Sequence, residues 1–420
     1  MRAEILTIGD ELCRGEIVDG NSAYLAARLW DLDITTCWMT SCNDDEADLV
    51  AALTQAVSRT DLVVCSGGLG PTEDDLTVDV VSKLAGVDPV IDEPARARME
   101  AWFSRSGTRV TEIQLRQVRV PAGARVHPNP AGLAPGFEVM VHGVPVVCLP
   151  GFPRELTAIH DAGLGRRIAE LREAAGNVER VARRIYRAFG RGESQISSAC
   201  RGLVDGVPGA SIHYQVKFPE TLVKLVVRDR DQAAADARLA ALDAGIRERL
   251  GSIVYGSGEI ETLVEKVTRR LIESDQAIAT AESCTGGMIG ELLTRMPGSS
   301  KVFRGGAIVY SNHEKTRQLG VKEQTLRDHG AVSEECVIEM AKGAAQRFGV
   351  PYAVAVSGIA GPDGGTPEKP VGTVWLAYVG PGDELGTKML SWPGARDQIR
   401  LLAAWWALKL IDDSLPERTP

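Results

Sequence analysis

The chain has no CxxC pair among its eight cysteines, at positions 13, 37, 42, 65, 148, 200, 284 and 336. Neither a zinc framework nor a dense disulfide scaffold is therefore written into it. No window approaches the roughly 18 apolar residues of a membrane span. The opening MRAEILTIGDEL lacks the charged region and long apolar run of a secretory signal. A basic excess is missing too: the formal net charge is -9, whereas a protein that coats DNA or RNA needs a positive stripe over the phosphates. No tandem repeat is found. These absences predict a cytoplasmic protein with reduced thiols, no membrane association and no direct nucleic-acid binding.

What is present is ordinary globular material, 420 residues with 44% apolar and 25% charged. That length exceeds what one core usually supports. From Ile5 the pattern reads as strand, then a helix that Asn21 can cap, a strand over Ile34 to Met39, and a helix marked by Leu49, Leu53 and Val57. A strand over Leu62 to Cys65 comes next. This β-α-β-α-β order is the signature of a mostly parallel sheet covered on both faces. Strands near Val118 to Val120 and Val144 to Leu149 extend the domain, and 161–180 reads as a helical connector. RRIYRAFG, SIHYQVKF and KLVVRD then read as strands, followed by an alanine-rich helix from Gln232 to Leu250. Gly-Ser-Gly at 256–258 reads as a boundary. Beyond it, Ile260, Leu263, Val264, Val267 and Leu271 share a helical face. The expected fold class is α/β: two three-layer α/β domains with mostly parallel sheets, at 1–168 and 258–414, joined by a small α+β domain at 175–252.

In the last domain three polar loops each follow a strand, where ligands of open sheets collect. The first is Glu282-Ser283-Cys284-Thr285-Gly286-Gly287, whose small residues let backbone N–H groups approach an anion at a helix start. Ser283 or Thr285 as a simple helix cap accounts equally well for that segment alone. The second is Tyr310-Ser311-Asn312-His313-Glu314-Lys315, and the third runs from Ser357 and Gly358 through Gly361 to Gly365. Serine becomes a nucleophile only beside a base, and a desolvated lysine can serve. Gly286 occupies the lysine position of an SxxK motif, so a lysine must come from another loop, and Lys315 is the best placed. Cys284 is the rival nucleophile, with His313 as the histidine that approaches it in space.

TAESCTGG, PGSS, YSNHEK, HGAVS, MAKGA and SGIAGPDGG with KPVGTVW occur in that order over nearly all of 260–414. The series resembles the CinA C-terminal domain, a family that includes enzymes deamidating nicotinamide mononucleotide to the nicotinate form. The resemblance implies Ser283 as nucleophile, Lys315 as its base and Tyr310 as a hydroxyl partner. Glu282, Cys284, Thr285, Gly286, Gly287, Asn312, Ser357, Gly358 and Gly361 would line the substrate site, with no cofactor. The family usually has Thr where Ser357 stands.

In the first domain Gly67-Gly68-Leu69-Gly70-Pro71-Thr72-Glu73-Asp74-Asp75 lies after the third strand. Such glycines can cradle phosphate and the acids behind them can hold a hydrated divalent cation. Neither a Walker A loop nor a GxGxxG is present. A solvated acidic helix start explains Glu73 and Asp74 as readily. GDEL, Gly15, Asn21, GGLGPTEDDLT, NPAGLAPGF and LPGFPREL are similar to the molybdopterin-binding-like domain of CinA proteins. That resemblance implies hydrolysis of ADP-ribose, with Asp10, Asp44 and Asp75 on a divalent metal (Mg2+, Mn2+ or Co2+, with K+ as a further ion). Gly67, Gly68, Gly70, Thr72 and Asn21 would sit at the substrate. Asn43-Asp44 departs from the usual Gly-Asp, and Gln114 and Arg116 from the usual Asn and Lys.

The middle segment looks like the KH-type domain of the same proteins. It lacks a GXXG loop, Gly190-Arg191-Gly192-Glu193 being the nearest candidate, which favours a scaffold or dimerisation role over RNA binding. A homodimer is the expected assembly. Two other functions fit less of the chain: a molybdopterin-processing enzyme, and a non-enzymatic competence or DNA-damage factor.

Overall fold

The computed structural model describes residues 1–105, 107–176, 179–258 and 261–416. Ile260, expected on a helical face, lies outside them. The chain divides into two compact units, Met1–Val181 with Asp229–Gln232, and Ala182–Arg228 with Ala233 onward.

The first unit contains β1 (Arg2–Ile8), α1 (Asp10–Cys13), α2 (Gly20–Asp31), β2 (Thr35–Cys42), α3 (Glu46–Arg59), β3 (Leu62–Ser66), α4 (Thr77–Ala85), β4 (Pro89–Ile91) and α5 (Glu93–Arg105). It continues with α6 (Glu112–Leu115), β5 (Arg119–Pro121), β6 (Arg125–His127), β7 (Gly136–Val141), β8 (Val144–Leu149), α7 (Pro153–Ile159) and α8 (Gly165–Ala174). The helices form for local reasons. Asp45 caps α3 by accepting from the N–H groups of Ala47 and Asp48, and the stripe Leu49, Leu53, Ala56 and Val57 is buried. The cap of α2 is Asp19, which accepts from Ser22 N. Asn21 is therefore not a cap; its amide crosses to Ser66 Oγ (2.9 Å) and the Gly151 carbonyl (2.7 Å).

The main sheet runs β2-β1-β3-β8-β7-β6. Its first four strands are parallel, β7 runs antiparallel to β8, and β6 runs antiparallel to β7. The register sets Ile8 against Cys42 and Ser66 against Leu149, so four strands end at one level and their loops share one edge. Two expectations change here. The Val118–Val120 strand is Arg119–Pro121 and lies outside this sheet, in a ribbon with β4 where Pro89 faces Pro121; neither proline has an N–H with which to extend the pairing. Residues 165–174 are not a mere connector, because Leu164 and Ile168 pack with Ile5, Leu25 and Val64 on one sheet face.

The second unit begins with β9 (Arg180–Ala188), α9 (Glu193–Cys200), β10 (Ala210–Lys217), β11 (Glu220–Asp229), α10 (Gln232–Leu250) and β12 (Val254–Ser257), in a sheet ordered β10-β11-β9-β12. Turns rather than a second helix come after α9. The expected 256–258 boundary falls partly inside β12. Phe189, just beyond β9, and Tyr255 of β12 belong to the same buried cluster as Leu263, Leu271, Trp405 and Leu408, so the small domain shares a core with the C-terminal domain.

Next come α11 (Leu263–Glu273), β13 (Ile278–Glu282), α12 (Met288–Thr294), β14 (Phe303–Ile308), α13 (Asn312–Leu319), α14 (Glu323–Asp328), α15 (Glu334–Phe348), β15 (Tyr352–Gly358), β16 (Thr373–Val379), β17 (Leu385–Ser391) and α16 (Arg396–Ser414). Thr262 caps α11 in a box with Glu265. The sheet order is β14-β13-β15-β16-β17, parallel across the first three strands and antiparallel across the last two. The α/β class holds for both domains, but both sheets are mixed; in this one β16 and β17 return by connections that contain no α-helix. Glu282 pairs with both Ile308 and Val356, so the loops starting at Ser283, Val309 and Ser357 leave the sheet at one edge.

Candidate active site

Ser283 is the first residue beyond β13, its N–H donating to the Val356 carbonyl at 3.0 Å. Val309, just beyond β14, donates its N–H to the Glu282 carbonyl at 2.8 Å. One turn into α13, Lys315 reaches back so that its Nζ donates to Ser283 Oγ at 3.1 Å and to the Val309 carbonyl at 3.0 Å. The lysine is 1% exposed and the serine 7%. Burial pushes the Lys315 amine below its ordinary value, with only the weaker influence of Cys336 and Cys284 opposing. A hydroxyl thus sits in contact with an amine biased toward its neutral, proton-accepting form.

Several expected neighbours have other duties. Glu282 is buried, and its carboxylate accepts from the N–H groups of Gly287 (3.0 Å), Ile289 (3.1 Å) and Gly290 (2.9 Å). It is the cap of α12, with no oxygen left to face substrate. Cys284 turns into the apolar core, and burial pushes its thiol up to about 12, which removes the thiolate a cysteine nucleophile requires. His313 is exposed on α13 beside Glu314 and makes no approach to Cys284. Ser357 spends its hydroxyl on the Ala331 carbonyl at 2.7 Å. Gly358 packs against Val374, where a Cβ would meet the side chain at 2.6 Å.

The turn itself leaves polar groups unpaired among the described residues. Gly286 and Gly287 adopt φ values of +61° and +97°, which favour glycine. The N–H groups of Cys284 and Thr285 donate to no other described residue, and the buried Thr285 hydroxyl has no partner. Arg400 fixes the turn from behind, bonding the carbonyls of Cys284 (3.2 Å) and Thr285 (2.9 Å). Arg396 stands at the rim, where it donates to the Gly361 carbonyl (2.6 Å) and to Tyr310 Oη (3.1 Å). Tyr310 is 62% exposed; its hydroxyl partners this arginine rather than Ser283 or Lys315. Asn312 is exposed at the start of α13. Sequence reading missed Arg396 and Arg400. Their only signal is a one-turn spacing at the start of a helix more than a hundred residues away from the nucleophile.

In the first unit a cavity of about 750 Å³ opens where β1, β2, β3 and β8 end. Gly67, Gly68, Gly70, Asp44, Asp74 and Asp75 line it, facing Arg98, Trp102 and Arg105 of α5 and the exposed Phe152. The roles inside the glycine loop differ from expectation. Gly67 donates its N–H to the Leu149 carbonyl, and a Cβ there would meet the Ile8 carbonyl oxygen at 2.1 Å. Asp75 clamps its own loop, accepting from Gly70 N (2.7 Å), Thr72 N (2.8 Å) and the Thr72 hydroxyl, so Gly70, Thr72 and Asp75 are already engaged with one another.

Asp10 and Asp44 accept each other's backbone N–H groups, and Asp10 also pairs with Arg14. Burial, reinforced by the charges of Asp10, Glu11 and Asp74, holds the Asp44 carboxyl above its usual range. Among the described residues no three His, Cys, Asp or Glu side chains are arranged to hold a metal ion. The Asp10–Asp44 pair has the hard oxygen donors that suit a hydrated divalent cation bound through one or two carboxylates. No described helix is long and apolar enough to cross a membrane.

Three family models match the chain in sequence. They are a probable molybdopterin binding domain over 4–168, the damage-inducible protein CinA KH domain over 183–256, and the CinA C-terminal domain over 260–415. A putative competence-damage inducible protein of Symbiobacterium thermophilum is 43% identical over 420 residues, covering 98% of both chains. A CinA-like protein of Anaeromyxobacter sp. is 41% identical over 413 residues, again covering 98% of each. Among solved structures, the competence/damage inducible protein CihA from Agrobacterium tumefaciens is 38% identical; it matches 37% of this chain and 98% of its own, with a TM-score of 0.35.

Proposed function

This chain belongs to the CinA family, and on that premise we propose that its C-terminal domain hydrolyses a carboxamide on an anionic nucleotide, nicotinamide mononucleotide being the substrate implied by the family resemblance. The observation that carries this reading is the buried contact of Lys315 Nζ with Ser283 Oγ. Ser283 Oγ attacks the carboxamide carbon as neutral Lys315 takes its proton. The N–H groups of Cys284 and Thr285, next in the chain, stabilise the oxyanion. When the tetrahedral adduct collapses, the C–N bond breaks and the lysine returns the proton to the leaving ammonia. Water then attacks the acyl ester, giving its proton to Lys315, and the carboxylic acid departs as Ser283 recovers its hydrogen. Arg396 at the rim meets the phosphate of the nucleotide.

Ammonia release from nicotinamide mononucleotide tests this directly. The full chain and its Cys284→Ala variant are expected to be active, and Ser283→Ala to be slowed at least about a thousandfold. A folded but inactive wild type would overturn the reading.

A second reading concerns the first domain, favoured by the match to a molybdopterin-binding model and by the cavity with two arginines and two aromatics on its wall. It is a nucleotide- or pterin-type phosphate site. A divalent cation held by Asp44 and Asp10 with the ligand's own phosphates would supply charge neutralisation, and hydrolysis of ADP-ribose-type pyrophosphates is the finer form of this reading.

A further inference from the structure

We propose that Phe218, at the tip of the β10–β11 hairpin, is a positioning residue for the amidase site, acting through Trp392 on the Arg396 clamp; this rests on the reading of that site as an amidase for an anionic nucleotide. The two hairpin strands pair along their full length down to Lys217 opposite Glu220, so the tip is delivered as a stiff unit. Phe218 is 37% exposed and belongs to none of the apolar clusters of its own domain. Instead its ring stacks on Trp392, with centroids 5.3 Å apart and planes at 29°.

The indole is confined from its other side. It closes over Gly394, where a Cβ would lie 2.0 Å from the ring. The backbone N–H of Trp392 donates to the Gly372 carbonyl at 3.2 Å, and the Gly372 N–H to the Ile359 carbonyl at 2.8 Å. The segment leading into α16 is thereby tied to the glycine-rich loop after β15. Arg396, the first residue of α16, then reaches the Gly361 carbonyl and Tyr310 Oη. The link runs from the hairpin tip to the indole by stacking, and from Trp392 to Arg396 along the short segment 393–395 of the chain.

The physical consequence is preorganisation. An exposed arginine gives up much rotamer freedom when it clamps an anion. A segment already braced by stacking presents the guanidinium aimed, and the affinity for the phosphate rises accordingly. Phe218 would therefore influence substrates that carry a phosphate, and leave the acyl-transfer step alone.

The test compares wild type, Phe218→Ala, Phe218→Tyr, Arg396→Ala and the Phe218→Ala/Arg396→Ala double variant in the full chain. Nicotinamide mononucleotide is compared with nicotinamide riboside, which lacks the phosphate. Phe218→Ala is expected to raise KM and the calorimetric Kd for the nucleotide roughly three- to tenfold. Its kcat and pH inflection should stay unchanged, and so should its KM for the riboside. Tyrosine should restore the wild-type values, and the alanine should add nothing in the Arg396→Ala background. Equal losses for nucleotide and riboside, or an unchanged KM and Kd, would overturn the proposal. Should the wild type release no ammonia, the amidase reading falls, and the calorimetric comparison still decides this one; absence of any nucleotide binding sinks both.

Discussion

Lys315 Nζ lies 3.1 Å from Ser283 Oγ across 32 residues of sequence, because β13 and β14 pair so that Glu282 stands opposite Ile308. The turn after β14 then brings the first turn of α13 back over the end of β13. Among the described residues the amine has a hydroxyl and a carbonyl as hydrogen-bond partners and no carboxylate. Among the described residues no carboxylate in contact with it offsets the charge that burial disfavours.

The pH dependence of activity derives from that environment. The Lys315 amine titrates below the 10.5 of a free lysine, so amide hydrolysis should rise with pH through an inflection under that value. Stability should rise over the same window: between the folded and unfolded values the unfolded chain binds the extra proton, and raising the pH removes it. Lys315→Met should abolish activity and erase that alkaline rise in the denaturant midpoint. An activity profile that is flat or falls with pH would contradict the assignment of Lys315 as base.

Glu282 is expected to matter for folding before it matters for chemistry. Its carboxylate takes three backbone N–H groups at the start of α12. Glu282→Ala should cost on the order of 3 kcal/mol in urea unfolding. Glu282→Gln, which keeps an acceptor, should cost less. A loss below about 0.5 kcal/mol for the alanine would show that the cap is dispensable.

Asp44 gives a prediction of opposite sign. Its carboxyl is held up by burial and by acidic neighbours. Ionisation in the folded state is therefore disfavoured, and stability is lost as pH rises from the free value through the folded one. Asp44→Asn should raise Tm at neutral pH, with the gain shrinking as the pH is lowered. Added Mg2+ or Mn2+ should raise Tm of the wild type more than that of the variant; an equal response would remove Asp44 from any cation site.

Trp102 projects from α5 into the cavity of the first unit, between Arg98 and Arg105 in sequence. Trp102→Ala should weaken binding of a nucleotide about tenfold through lost stacking. Binding of ribose 5-phosphate, which has no base, should stay the same. Identical losses for the two ligands would mean the indole shapes the cavity without contacting a ring.

Periodicity carried much of the architecture. The stripe of Leu49, Leu53 and Val57 was readable because a helix repeats its buried positions at fixed spacing, and the Gln232–Leu250 helix because it is rich in alanine. The antiparallel strands β7 and β17 carried no comparable mark, since both are short and alternate weakly. The loops after parallel strands were legible as glycine and hydroxyl clusters. Their internal bonds were not: Asp75 reads as a ligand in sequence and is a loop clamp in space.

By itself, then, the sequence determined the α/β order and the family, since these depend on residue type and local spacing. Only the tertiary structure decided that Cys284 points into the core, that Glu282 caps a helix, that Arg396 meets the Gly361 carbonyl, and that Phe218 stacks on Trp392. Side-chain direction and long-range contact are set by strand register and packing, and neither leaves a period in the chain.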